Sequence, residues 1–141
     1  MQISSRFTIA IHILTCIDYF KDNITSSFLS KSIGVNSVII RNIIKQLKEA
    51  KLINITQGKS GIKLNKELNK ITFYDVYKAV DCISKYGIFH FHEKPNIECP
   101  VGKNIHKALD KKLYGIQNDF EKKLKNYKLS DVSSIIIKKN K

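Results

Sequence analysis

Hydrophobic residues near the start of the chain recur at intervals of three and four, the spacing of one face of an α-helix. This pattern predicts a first helix over roughly residues 3 to 20. The next segment, TSSFLSKSIG, predicts a short second helix that Thr25 or Ser26 caps and Gly34 ends. The apolar positions of the first helix are Ile3, Phe7, Ala10, Ile11, Leu14 and Ile17.

A third helix is predicted almost directly after Gly34. Beyond it the pattern changes to the alternation that is typical of strands. Asn36 is a suitable N-cap for a helix over SVIIRNIIKQLKEAKL, and two helices joined by a tight turn have the outline of a helix-turn-helix. In INITQGKSGIKLN, apolar and polar residues alternate around a turn-forming centre, which predicts a β-hairpin. The buried stripe of the third helix is predicted to contain Ile40, Ile43, Ile44 and Leu47.

Directly beyond the hairpin the sequence predicts a short helix, and a much longer one follows it. Thr72, with Asp75 three residues later, forms a variant of the capping box at the start of the first. The second begins just after Pro100 and would be on the order of 40 Å long, more than so small a domain can cover. We therefore expect a homodimer. The predicted interface residues are Ile105, Leu109, Leu113, Ile116 and Phe120.

The predicted fold is therefore mainly α with a small β-hairpin wing. A winged helix-turn-helix occupies residues 1–80, and residues 81–141 hold an irregular segment and the long C-terminal dimerisation helix. Ser130 can cap a short final helix that carries the IIIKKNK sequence.

The net charge of the chain indicates what kind of partner it binds. Lys and Arg total 25 against 12 acidic residues, a formal net charge of +13 over 141 residues. An AT-rich genome would also enrich lysine, but between Asn23 and Lys66 the only acid is Glu49. This asymmetry favours a surface that faces the phosphates of double-stranded DNA.

Contacts to DNA are predicted for the third helix and the hairpin, and a merely solvated surface is the alternative interpretation of these residues. The start of a recognition helix reaches base edges in the major groove, while a wing meets phosphate or the minor groove. The predicted DNA-contacting residues are Ser37, Val38, Arg41, Asn42, Lys45, Gln57, Lys59 and Ser60.

Four stretches, QISSRFTIAIHIL, VNSVIIRNIIKQLKEAKLI, QGKSGIKLNK and ITFYDVYKAVD, resemble the Rrf2 family of bacterial transcription regulators over nearly the whole chain. The resemblance implies a homodimeric winged-helix repressor or activator that binds a palindromic operator, and of the two we expect a repressor. The wing departs from the family pattern, since Gln57 replaces an arginine, Ser60 a glycine and Ile62 a tyrosine. Readout of DNA by that arginine is therefore absent.

Cluster-binding members of the family carry three closely spaced cysteines before the long helix, where this chain has only Cys99. It thus resembles the cluster-free branch, and no cofactor is expected. Cys99 is interpreted either as a redox sensor at the start of the long helix or as a structural cysteine, and the effector is unknown. Cys16 and Cys82 lie beside apolar stripes and are interpreted as core residues.

Other classes of function find less support in the sequence. His90, His92, Cys99 and His106 suggest zinc, but no pair has finger-like spacing, so no metal is expected. No catalytic motif appears, so we expect no enzyme, and an adaptor module without operator binding is the alternative. Three scattered cysteines and no stretch long enough to span a bilayer predict a cytoplasmic protein.

Overall fold

The computed structural model describes residues 4–56, 61–80, 89 and 92–141. Within them, the chain forms helices around one two-stranded antiparallel hairpin, which confirms the predicted fold class. None of the helices in this part of the chain combines the length and the apolar composition needed to cross a membrane. The elements are α1 (Arg6–Phe20), α2 (Ser26–Ile33), α3 (Ser37–Glu49), β1 (Ile53–Thr56), β2 (Gly61–Leu64), a 3-10 turn (Leu68–Lys70), α4 (Phe73–Ala79), α5 (Pro100–Lys125) and α6 (Leu129–Lys139).

Local side-chain caps start three of these helices where the sequence indicates. The Thr25 hydroxyl accepts from the Phe28 N–H at 3.1 Å at the start of α2. At the start of α4, Thr72 and Asp75 form a complete capping box. α1 begins at Arg6, slightly later than the sequence predicts.

One hydrophobic core joins α1, α2, α3, α4, the hairpin and the start of α6. The predicted stripe of α3 is buried, and the buried residues of α1 pack against it. Gln46 of α3 also links α1 to the end of α4. Its side chain accepts a hydrogen bond from the Arg6 guanidinium and donates one to the carbonyl oxygen of Val80 at 3.4 Å. The largest fully buried side chains include Ile13, Leu14, Leu29, Ile40, Ile43, Leu47, Ile71 and Val76.

The hairpin is attached to the connection between α1 and α2. Ile53 pairs with Leu64 and Ile55 with Ile62 across the two strands. Gly61 forms a bridge with Ile24, whose carbonyl oxygen accepts from the Ile62 N–H at 3.1 Å. The base of the wing is therefore fixed against the helical core.

α5 extends away from this core. Its 26 residues span about 39 Å at 1.5 Å each, and Leu124 is its one buried residue. Phe120 packs against Tyr77 near the same end, with ring centroids 5.9 Å apart. α6 begins at Leu129, one residue before the predicted cap Ser130, and returns to contact α1.

Candidate nucleic-acid interface

The turn between α2 and α3 fixes the orientation of the recognition helix. Gly34 ends α2 with a φ of 81°, a left-handed conformation that glycine adopts without steric cost. The Ser30 hydroxyl donates to the carbonyl oxygen of Val35 at 2.6 Å across the turn. Asn36 then caps α3, since its side-chain oxygen accepts from the Val38 N–H at 2.7 Å. The sequence therefore folds locally into a rigid helix-turn-helix.

The two faces of α3 differ sharply in exposure and charge. Its buried stripe contacts the core, while Arg41, Asn42 and Lys45 lie exposed on the other side. Val38 is 53% exposed at the first turn, and Ser37 beside it is half-buried. The structure therefore brings the five predicted residues of this helix onto its first three turns, where all but Ser37 are open to a partner.

A groove of about 400 Å³ separates α3 from the wing. Arg41, Lys45 and Lys48 line its α3 side, and Ile55 and Gly61 line its hairpin side. Recognition helix and wing therefore share one concave basic surface. Lys48 was absent from the predicted contacts, although its spacing of three from Lys45 and seven from Arg41 places it on the same face. The predicted wing contacts Gln57, Lys59 and Ser60 lie outside the described residues.

Not every basic residue of this region faces the groove. The Lys63 ammonium forms an ion pair with Asp22 at 2.8 Å and donates to the carbonyl oxygen of Lys21 at 2.6 Å. The hydrogen bond and the charge of Lys63 lower the pKa of the Asp22 carboxyl below its ordinary value. Lys63 thus fastens the hairpin to the end of α1, and its charge is partly neutralised.

The two arginines of the chain have different roles. Arg6 is half-buried and donates to Gln46 of α3, so it braces the recognition helix from behind. Arg41 is exposed on the opposite face of that helix. Of the two arginines, Arg41 is therefore the one whose guanidinium is open to a partner.

Cys99 is the N-cap residue of α5 and is half-buried. The backbone N–H groups of Gly102 and Val101 lower the pKa of the Cys99 thiol, although burial acts the other way. A glycine is required at position 102, since a Cβ there would lie 2.4 Å from the Asn96 carbonyl oxygen. The N-terminus of α5 is therefore the cause of the lowered pKa.

Two of the histidines near Cys99, His92 and His106, lie within the described residues. The rings of His92 and His106 lie 5.2 Å apart, and the Nδ1 of His106 is 3.0 Å from a carboxylate oxygen of Asp110. His90 is outside the described residues. Across 4–56, 61–80, 89 and 92–141, no group of three or more His, Cys, Asp or Glu side chains has an arrangement that would hold a metal ion.

Several known proteins are similar to this chain in sequence or in structure. YwnA of Bacillus subtilis, classed as an HTH-type transcriptional regulator, is 36% identical over 131 residues, which cover 93% of this chain and 96% of YwnA. A crystal structure described as that of a DNA-binding protein is 33% identical, with a TM-score of 0.74 and coverage of 91% and 98%. CymR, the global cysteine regulator of B. subtilis, shares the fold at 15% identity, with a TM-score of 0.68 and coverage of 95% and 97%.

The Rrf2 family model, described as an iron-dependent transcriptional regulator, matches residues 3–134. An iron cluster held by three neighbouring cysteines does not fit this chain. Cys16 is buried at 6% exposure on α1, Cys99 lies at the start of α5, and Cys82 is outside the described residues. Because the family model matches residues 3–134 and YwnA is 36% identical over 93% of this chain, the chain belongs to the Rrf2 family, whose members are DNA-binding transcription regulators and not enzymes.

Proposed function

We propose that the protein is a homodimeric repressor that binds a palindromic operator through α3 and the wing. The observation that carries this proposal is the exposed basic face of α3, which forms one concave surface with the hairpin. The major groove of B-DNA is wide enough to admit an α-helix. With α3 in that groove, Arg41 reaches base edges, while Lys45 and Lys48 approach phosphates.

The exposed stripe of α5 supports the homodimer. Ile116 is 54% exposed and Val101 is 68% exposed, and Ile105, Leu109 and Leu113 are only half-buried. A long helix with so much exposed apolar surface gains free energy when a second copy covers it. Phe120 packs on Tyr77 of its own chain, so we place the centre of the seam nearer the middle of α5.

Two copies related by a twofold axis present two recognition helices. Such dimers bind half-sites about one helical turn of DNA apart, so the operator is expected to be palindromic. Arg41 can donate two parallel hydrogen bonds to a guanine, a contact worth about 1–3 kcal/mol of discrimination.

The test compares operator binding of wild type, Arg41→Ala and Arg41→Lys at several salt concentrations, on promoter fragments selected from genomic DNA. Arg41→Ala should lower affinity and relax base preference, while Arg41→Lys should keep the salt dependence and lose the preference. Lys107→Ala, exposed on α5, is the control and should bind as wild type does. Equal affinity and preference in all variants, or no sequence preference in wild type, would favour the adaptor alternative.

We further propose that the operator affinity responds to oxidants through Cys99. A thiol with a lowered pKa is more often a thiolate at neutral pH, and the thiolate is the reactive form. With peroxide, the sulfur attacks one oxygen, the O–O bond breaks, and a sulfenic acid and hydroxide result. The sulfenic acid lies at the N-terminus of α5. A change in shape or charge there alters the spacing between the two DNA-binding domains of the dimer.

A further inference from the structure

A second cavity, of about 410 Å³, lies on the side of the domain formed by α1, α2 and α6. Its volume falls within the roughly 300–1,000 Å³ of small-molecule pockets. Tyr19 and Phe20 of α1, Ser32 of α2 and Ile136 of α6 contribute to its walls. The cavity therefore lies where the helix-turn-helix meets the C-terminal helix, apart from the basic groove.

The lining has an unusual chemistry for so basic a protein. Tyr19 and Phe20 remain 45% and 48% exposed, and their rings meet edge to face at 5.0 Å. His12 and Asn140 add groups that both donate and accept hydrogen bonds. Among the described residues, no Lys, Arg, Asp or Glu side chain lines the cavity, although the chain carries a net charge of +13. Exposed rings, a few polar groups and a lining without Lys, Arg, Asp or Glu suit a neutral aromatic molecule.

The walls of the cavity are linked to the recognition helix. The Cys16 sulfur lies 3.6 Å from the Ser32 hydroxyl, so α1 and α2 touch at the back of the cavity. Ser32 is two residues before Gly34, which begins the turn into α3. On the other side, the Ser133 hydroxyl donates to Asp18 at 3.3 Å and holds α6 on α1. A molecule that separates these helices moves α2 and hence the recognition helix.

We propose that this cavity binds a small neutral aromatic molecule and that its occupancy changes operator affinity. Binding of the molecule concerns the cavity alone, whereas the change in operator affinity rests on the proposed function. A ligand shifts the equilibrium only if it binds the two arrangements of α1, α2 and α6 with different affinity. The effect is reciprocal, so bound operator must change the affinity for the ligand by the same factor.

The probe is 1-naphthol, with 1-naphthalenesulfonate as its anionic counterpart, titrated into full-length protein without DNA by calorimetry. General attraction to a cationic protein favours the sulfonate, whereas this cavity favours the naphthol. Ile136→Trp fills the cavity and should weaken naphthol binding by at least about tenfold. Ile135→Trp is the matched control, since its side chain is 60% exposed and does not line the cavity, and it should bind as wild type does.

Amide chemical shifts of the wild-type protein provide a measurement that does not depend on a variant folding. Naphthol should perturb residues 12–20 and Asn140 and leave residues 101–116 unchanged. Tighter binding of the sulfonate, unaltered binding by Ile136→Trp, or perturbation confined to α5 would overturn the site. Saturating naphthol should change operator affinity by about fivefold or more. Naphthol binding in the cavity with unchanged operator affinity would overturn the proposed effect on operator affinity. If the wild-type protein binds no operator at all, the proposed function fails, while the naphthol titration still tests the cavity.

Discussion

Gly61 holds the hairpin wing against the core, and its replacement by alanine tests that contact. Its φ is 65°, and an added Cβ would lie 2.3 Å from the Ile24 carbonyl oxygen. A left-handed residue with a side chain costs about 1–2 kcal/mol. The alanine must also move away from Ile24, and loss of the hydrogen bond from the Ile62 N–H costs about 1 kcal/mol more. We expect Gly61→Ala to lower the free energy of unfolding by about 2–3 kcal/mol.

Gly34 offers a matched control in the same domain. Its φ is 81°, but no heavy atom among the described residues lies within 4 Å of an added Cβ. Gly34→Ala therefore carries only the conformational cost of about 1–2 kcal/mol. Urea unfolding followed by far-ultraviolet circular dichroism measures both variants. Equal destabilisation by the two would refute the steric contribution at Gly61 and the close contact with Ile24.

In sedimentation at micromolar concentration, Ile116→Lys should give monomers, because the substitution places an ammonium group in the apolar dimer interface. Asn118 is exposed on the same helix, so the control Asn118→Lys should remain dimeric. A monomeric wild type would contradict the dimer. Mild peroxide should weaken operator binding of wild type and not of Cys99→Ser, with recovery in dithiothreitol; identical responses would exclude this thiol as the sensor. An NMR titration should find the pKa of Asp22 below its ordinary value, returning in Lys63→Met, and an unshifted wild-type carboxyl would contradict the ion pair. Because folding lowers the pKa of Asp22, its ion pair with Lys63 contributes its full stabilisation at pH values above the unfolded-state pKa. This stabilisation is lost as the pH falls through the folded-state pKa.

The local pattern of the sequence determined the helices, the hairpin and the caps of α2, α3 and α4. Periodicity, Asn36 and the pair Thr72 and Asp75 act within one or two turns, so their effect depends little on distant residues. The same pattern placed Arg41 and Lys45 on the solvent face of α3, because the buried stripe of a helix fixes the direction of its other faces.

Contacts between residues far apart in the chain were decided only by the tertiary structure. Spacing could not show that Lys63 pairs with Asp22, or that Arg6 braces Gln46 while Arg41 stays exposed. Nor could it show that Phe120, in the predicted dimer stripe, packs on its own chain. The cavity between α1, α2 and α6 likewise arises from the packing angles of three helices. Such contacts depend on how elements meet in space, and sequence spacing specifies faces of elements rather than the distances between them.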